Sequence, residues 1–331
     1  MNDRLALGRS GRVAVLVLAL LGLVPGPSPA AAQQDYPNRA LHVFIGFPAG
    51  SGADILGRYF AAQLEKLAGK PVVVENKPGA NSNIAAGIVA TAKPDGYSIL
   101  FIASSNMAGS RFLFKSLPFN PEKDFEPVVS LFINANALVV NSSLGVKTIP
   151  DLVALAKSRP GTLSYGTFSF MLAYFMDELN KKNGIDIVRV PFRSGNEMVN
   201  AVMANTTPIV FLGLSNMIGQ VKSGQFTGLA LNATARLPLF PDIPTLKEAT
   251  GEDYPPPWFG LFAPAGTPLP IVDKVHAEVV RLSNIPAWRQ RNFIQRAVEP
   301  SAGPRDEFIK FIAENRAFAA RVAKEAGIKP Q

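Results

Sequence analysis

The sequence predicts an α/β fold of two lobes, joined by two crossover strands over a ligand cleft. Three observations predict it. Strand-like apolar runs alternate with helical patterns six times, each pair joined by a small polar loop. Two long extended stretches interrupt that rhythm and divide the chain. The composition is globular, with 47% hydrophobic and 18% charged residues over 331 positions, a length suited to two packed domains.

The first 32 residues stand apart. Arg4, Arg9 and Arg12 precede the apolar run VAVLVLALLGLV, then GPSP breaks the pattern and Ala30, Ala31 and Ala32 supply small residues. That is the layout of a secretory signal cleaved after Ala32, the alternative being an uncleaved anchor. Removing it takes three Arg and Asp3 from the formal +8 and leaves +6. The remaining charge is scattered, which suits attraction of small anions and argues against a nucleic-acid partner. There is no cysteine, so an exported chain would rely on its core alone, and thiol nucleophiles and Cys-based metal sites are excluded.

The units follow in order. LHVFIG leads through FPAGSGAD into a helix from Ile55, with Asp54 as its expected cap and Gly69 as its C-terminal glycine. PVVVEN leads through KPGANSN into IAAGIVATA, with Asn83 as the expected cap, and YSILFIA leads into SSNMAGS. After the extended run FEPVVSLFINANALVVN, Pro150 opens a short helix that Pro160-Gly161 stops. LSYGTF, IVRVPF and PIVFLGL then lead into LAYFMDELNKK, RSGNEMVNAVMA and SNMIGQVKSG. The proline-rich run YPPPWFGLFAPAGTPLP returns the chain to two final amphipathic helices. Such alternation predicts parallel sheets with ligands off the carboxyl ends of the strands. The expected division is 33–137 with 253–331 as the first lobe and 138–252 as the second. Two linkers side by side make a hinge, and a hinge implies a cleft that closes.

The loops offer donors and little acid–base machinery. GxxxxGK[ST] is absent, and GFPAGSG does not match GxGxxG in register. Only two histidines occur, His42 in a strand and His276 on a helix, both read as structural. No GxSxG or HExxH appears, so serines at loop ends, Ser51, Ser105, Ser169 and Ser215 among them, read as hydroxyl donors. The pair Asp177-Glu178 reads as a solvated helix face. Asn81, Asn83, Asn106 and Asn216 add neutral amides. Arg193, at a strand end, either grips a carboxylate with its fork or pairs with Glu197 one turn on.

Six stretches in order then carry a resemblance across the whole mature chain: YPNRALHVFIGFPAGSGADILGR, PVVVENKPGANSNIAAGIVATAKPDGYSIL, LPFNPEKDFEPV, IPDLVALAKSRPGTLSYGT, FPDIPTLKEA and WFGLFAPAGTPLPIVDKV. The sequence resembles the Bug-type substrate-binding proteins of tripartite tricarboxylate transporters. The resemblance implies a type II periplasmic binding-protein fold, capture of a small carboxylate through loop amides and waters, and delivery to membrane permease subunits. It implies that Phe47, Pro48, Ala49, Gly50, Ser51 and Asp54 form the first binding loop. Asn81 and Asn83 form the second, Ser105 and Asn106 the third, and Thr167, Phe168 and Ser169 the loop that pinches the carboxylate from the other lobe. Two departures bear on the ligand. GTFSFMLAYF lacks the histidine frequent on that helix, and PIVFLGLSN lacks the aspartate many relatives carry near Leu212 and Gly213. Without that acid an amino-acid ligand is disfavoured, and Phe168 and Phe170 either suit an apolar or aromatic body or, one or both, face the core. The expectation is therefore a monomeric periplasmic receptor for a carboxylate, with no metal and no cofactor. The alternatives are a ligand sensor for a membrane signalling partner, or a secreted hydrolase lacking a visible nucleophile–base pair.

Overall fold

A computed structural model describes residues 36–167 and 170–330. The leader expected over 1–32, with Phe168 and Ser169 of the pinching loop, lies outside the described residues. Within the compact unit Arg39–Gln331 the strands form two sheets, each with its own core.

The first sheet holds β1 (Leu41–Ile45), β2 (Val72–Asn76), β3 (Ser98–Ala103), β4 (Phe125–Ile133), β10 (Trp258–Pro264) and β11 (Glu299–Pro300), in the order β11-β4-β10-β3-β1-β2. The second holds β5 (Asn136–Asn141), β6 (Ser164–Thr167), β7 (Val188–Pro191), β8 (Ile209–Gly213) and β9 (Phe226–Asn232), in the order β7-β6-β8-β5-β9. The chain passes to the second sheet between Ile133 and Asn136 and returns between Asn232 and Trp258. All six strand–loop–helix units are present. The sheets are mixed where the alternation predicts parallel ones. Strands β1, β2 and β3 are parallel, as are β6, β7 and β8, but β10 runs antiparallel to β3 and β4, and β5 antiparallel to β8 and β9. The crossing runs enter each sheet without a preceding helical crossover, and only such a crossover forces parallel pairing.

The helices that carry the loops are α1 (Gly52–Ala68), α2 (Asn83–Ala90) and α3 (Ser104–Leu113) on the first sheet. On the second they are α4 (Ile149–Ser158), α5 (Phe170–Asn183), α6 (Gly195–Met203), α7 (Ile218–Lys222) and α8 (Leu246–Thr250). The chain ends in α9 (Leu269–Ser283), α10 (Pro286–Asn292) and α11 (Arg305–Glu325). Two expected caps are corrected. Ser51 caps α1, its hydroxyl accepting from the Asp54 N–H at 3.3 Å, and Asp54 sits in the first turn. Asn83 is the first residue of α2, whose N-cap Ser82 makes no side-chain capping bond.

The first core is strongly aromatic. Phe132 stacks on Phe259 at 5.0 Å between centroids, Phe101 on Phe259 at 5.5 Å, and Trp288 meets Phe60 edge-on at 5.0 Å. Each such buried ring contributes about 1.5–3 kcal/mol, which is how a chain without disulfides holds its fold. Helix α11 serves both cores. Its Phe308 and Ile312 belong to the first and Val322 to the second. Phe318 on the same helix stands edge-on to Tyr174 and Tyr254, and the Tyr174 hydroxyl donates to Glu325 at 2.5 Å. Asp177, expected on a solvated face, instead accepts from the buried Tyr165 hydroxyl at 2.6 Å and pairs with Arg189. Burial and that carboxylate together push the Tyr165 phenol well above its ordinary pKa.

Candidate functional site

Because β1, β2 and β3 are parallel neighbours, their carboxyl ends deliver three loops to one edge. Side chains then lock the loops together. The Ser82 hydroxyl donates to the Gly46 carbonyl at 2.9 Å, joining the second loop to the first. The Asn106 amide donates to Asn81 at both the carbonyl, 3.1 Å, and the side-chain oxygen, 2.7 Å, joining the third to the second. Asn81 donates in turn to Ser110 at 3.0 Å. The second loop is a left-handed turn: Ala80, Asn81 and Ser82 have φ of 45°, 55° and 65°. Only glycine adopts that region without steric cost, so three successive residues there store backbone strain that the cross-loop bonds must hold.

The first loop is fixed from within. Asp54 is 2% exposed and accepts from the Gly50 N–H at 2.8 Å, from the Asn76 amide at 2.7 Å and from Arg58 at 3.0 Å. Asn76 also donates to the Phe47 carbonyl at 3.0 Å. Burial pushes the Asp54 carboxyl up, but the bonds from Asn76, Gly50 and Arg58 outweigh it and hold its pKa below the ordinary 3.8. The Gly50 amide, expected to face a ligand, is therefore occupied by the chain's own carboxylate. Phe47 likewise turns its ring inward, 5.7 Å from Phe259 and 6.4 Å from Phe101. Pro48 and Ala49 are exposed at the tip, where the Ser51 N–H donates to the Pro48 carbonyl at 3.2 Å.

Helices α2 and α3 begin without side-chain caps. The Asn83 N–H donates back to the Ala80 carbonyl, and the dipoles of both helices favour negative charge at their first turns. Ser105 is partly exposed on the first turn of α3, while Ser104 beside it accepts from the Trp258 N–H at 3.2 Å. Asn83 and Asn106 are 4% and 8% exposed, and among the described residues the side-chain oxygen of each has no hydrogen-bond partner. A water or hydroxyl donating to them would satisfy both.

The second sheet presents a matching edge, with β6 between β7 and β8. Thr167, at the end of β6, is buried, and its carbonyl accepts from the Phe192 N–H at 2.9 Å, which sets the Arg193 loop beside it. The Arg193 side chain is exposed. Its backbone N–H donates to Glu197 at 3.1 Å, and among the described residues its guanidinium has no partner. Ser215 is partly exposed and Asn216 exposed, the latter donating to the Gly213 carbonyl at 2.9 Å. The two edges face each other. A Cβ built on Gly52 would lie 3.9 Å from the Asn216 side-chain oxygen, and one on Gly109 would lie 3.5 Å from the Phe170 ring.

Two contributors were missed from sequence, Asn76, which reads as the polar end of an apolar strand, and Ser110, an interior helix residue; Ser82 was read as a loop hydroxyl donor and donates to Gly46. Asn76 alone carried a signal, an amide at the carboxyl end of β2. Both histidines are engaged away from the loops, His42 with Glu75 at 2.8 Å and His276 with the Gly303 carbonyl at 2.9 Å. Among the described residues no cluster of His, Cys, Asp and Glu could hold a metal ion, and no helix is long and apolar enough to cross a membrane. A separate groove of about 480 Å³ opens between α4, α5 and α8, lined by Ile149, Val153, Phe175 and Tyr254, and includes none of the site residues.

Comparison with known proteins follows this geometry. Residues 56–328 match the family model described as tripartite tricarboxylate transporter family receptor. A UPF0065 protein of Bordetella bronchiseptica is 31% identical over 302 residues, covering 91% of this chain and 90% of that one. Among solved structures, an R. palustris protein with adipate is 27% identical with a TM-score of 0.79, over 89% of this chain and 100% of that one. MatC from Rhodopseudomonas palustris with bound malate is 26% identical with a TM-score of 0.73, over 87% of this chain and 100% of that one.

Proposed function

The chain belongs to the tripartite tricarboxylate transporter receptor family, and from that premise we propose that it captures a small carboxylate and delivers it to the permease subunits of a tripartite transporter. The observation that carries the reading is the opposition of two donor-rich loop edges, one per sheet, with Gly52 facing Asn216 and Gly109 facing Phe170. The uncapped starts of α2 and α3 supply N–H groups and positive dipole ends for a carboxylate. Ser105, Ser215 and Asn216 add hydroxyl and amide donors. The buried oxygens of Asn83 and Asn106 accept from waters that carry the ligand's carboxylate oxygens. The free guanidinium of Arg193 closes on the anion from the second edge, with Thr167, Phe168 and Ser169 forming the pinching loop. Asp54, Asn76 and Ser82 position the loops and do not touch the ligand.

The two sheets act as the two lobes, and capture closes one on the other about the crossovers at 134–135 and 233–257, with α11 spanning the joint. The adipate- and malate-bound relatives support a dicarboxylate as the ligand class. The leader over 1–32 directs the protein to the periplasm, where it works as a monomer. Isothermal titration of the mature chain against adipate, malate, citrate, benzoate and glutamate tests the reading. Saturable binding of a simple carboxylate with no turnover supports it. Turnover of an ester or amide panel, or binding of none of these acids, contradicts it.

A further inference from the structure

One contact bears on what body the captured acid carries. Phe170 opens α5 on the second sheet, yet its ring reaches the first. A Cβ built on Gly109 would lie 3.5 Å from its Cε1 and 3.6 Å from its Cζ. Gly109 lies on α3 one turn past Asn106, and the next residue, Ser110, accepts from Asn81. The ring is therefore seated on the helix whose first turn offers the anion its donors. Phe170 is only partly buried, with one side against the second core. It offers a ligand no donor or acceptor, and Gly109, as a glycine, offers no side chain at all.

We propose that Phe170, seated on Gly109, is the specificity-determining residue of the site, an apolar wall that favours acids with an unsubstituted methylene or aromatic body over hydroxylated ones. This rests on the receptor reading and deepens it. A carbon-borne hydroxyl placed against the ring gives up its water and finds no partner. An unmet polar group of that kind discriminates by about tenfold or more, while methylenes lose nothing by the same contact. Gly109 is part of the device, because a branched side chain there would displace the ring.

Succinate and malate differ by one hydroxyl, so their affinity ratio reads the wall directly by isothermal titration on the mature protein, with adipate as a longer unsubstituted acid. The wild type is expected to prefer succinate to malate by about tenfold or more. Phe170→Ala and Gly109→Val should bring the ratio to within about threefold of unity, and Phe170→Leu should keep most of it. The ratio separates specificity from folding, since a merely structural residue weakens all the acids together. Equal or tighter binding of malate by the wild type overturns the inference and leaves the receptor reading intact. So does a ratio unchanged in Phe170→Ala, or, if that variant does not fold, in Gly109→Val. Binding by the wild type of none of these three acids, nor of citrate or benzoate, removes the receptor reading and the inference with it; binding of citrate or benzoate alone leaves the receptor reading and overturns the inference.

Discussion

Replacing Gly46 with alanine should loosen the joint between the first two loops. A Cβ at Gly46 would fall 2.4 Å from the Ser82 Cβ, 2.7 Å from its Oγ and 3.1 Å from its Cα. No rotamer of Ser82 relieves a clash with its Cβ, so the backbone of the second loop must retreat by about 1 Å to reach ordinary contact. Overpacking of this kind costs about 1–3 kcal/mol. The retreat also breaks the buried bond from the Ser82 hydroxyl to the Gly46 carbonyl, worth about 1 kcal/mol. Gly46→Ala should therefore destabilise the protein by about 2–4 kcal/mol, a large part of the stability of an ordinary domain. Ser82→Gly should be nearly neutral alone, because the lost bond is offset by about 1 kcal/mol of relieved strain at its φ of 65°. Combined, Gly46→Ala/Ser82→Gly removes the Cβ and Oγ clashes and should recover most of the loss. Urea unfolding followed by the fluorescence of Trp258 and Trp288 measures all four corners of this cycle. A Gly46→Ala variant within about 0.5 kcal/mol of wild type, or a double variant no better than the single, would refute the reasoning.

Four further outcomes follow from the same geometry. Asp54→Ala takes their shared acceptor from the Gly50 N–H, the Asn76 amide and Arg58, leaving Asn76 only the Phe47 carbonyl, and should cost about 2–3 kcal/mol by urea unfolding. Because the Asp54 pKa is lowered on folding, its stabilisation is complete above the unfolded value of about 3.9 and is lost as pH falls through the folded one, so Asp54→Asn should flatten the acid limb of a stability profile run from pH 7 to pH 3. Ala80→Gly relieves a left-handed alanine with φ of 45° and should raise stability by about 0.5–1 kcal/mol, visible as a higher melting temperature; a lower one contradicts the strain at the second loop. Tyr174→Phe removes the bond to Glu325 but keeps the ring against Tyr254 and Phe318, so calorimetry should show a loss of about 1 kcal/mol.

The units of strand, polar loop and helix were legible because period and punctuation are local. What was not legible depended on contacts distant in sequence. Asp54 was expected to cap α1, and Ser51 takes that place because Asp54 is drawn onto Gly50, Asn76 and Arg58. A glycine at 50 announces a bare amide but not that a buried carboxylate already holds it. Nothing in ANS suggests three left-handed residues, since alanine and serine resist that region and the turn is imposed by Gly46 and Asn106. The direction of β5 and β10 likewise depends on where each crossover re-enters a sheet, which no window of sequence contains. Arg193 was read as either ligand cation or partner of Glu197. The structure gives Glu197 to its backbone amide and leaves its fork without a partner among the described residues.

The central claim is that two donor-rich edges close on a small carboxylate. Isothermal titration of the mature chain with succinate, adipate and malate, repeated on Arg193→Gln, tests it most directly. The account predicts saturable one-to-one binding of at least one of these acids, weakened by about tenfold or more when the Arg193 charge is removed. No heat from any of the three acids or from citrate and benzoate, or tighter binding of glutamate titrated beside them than of every one of these, would contradict it.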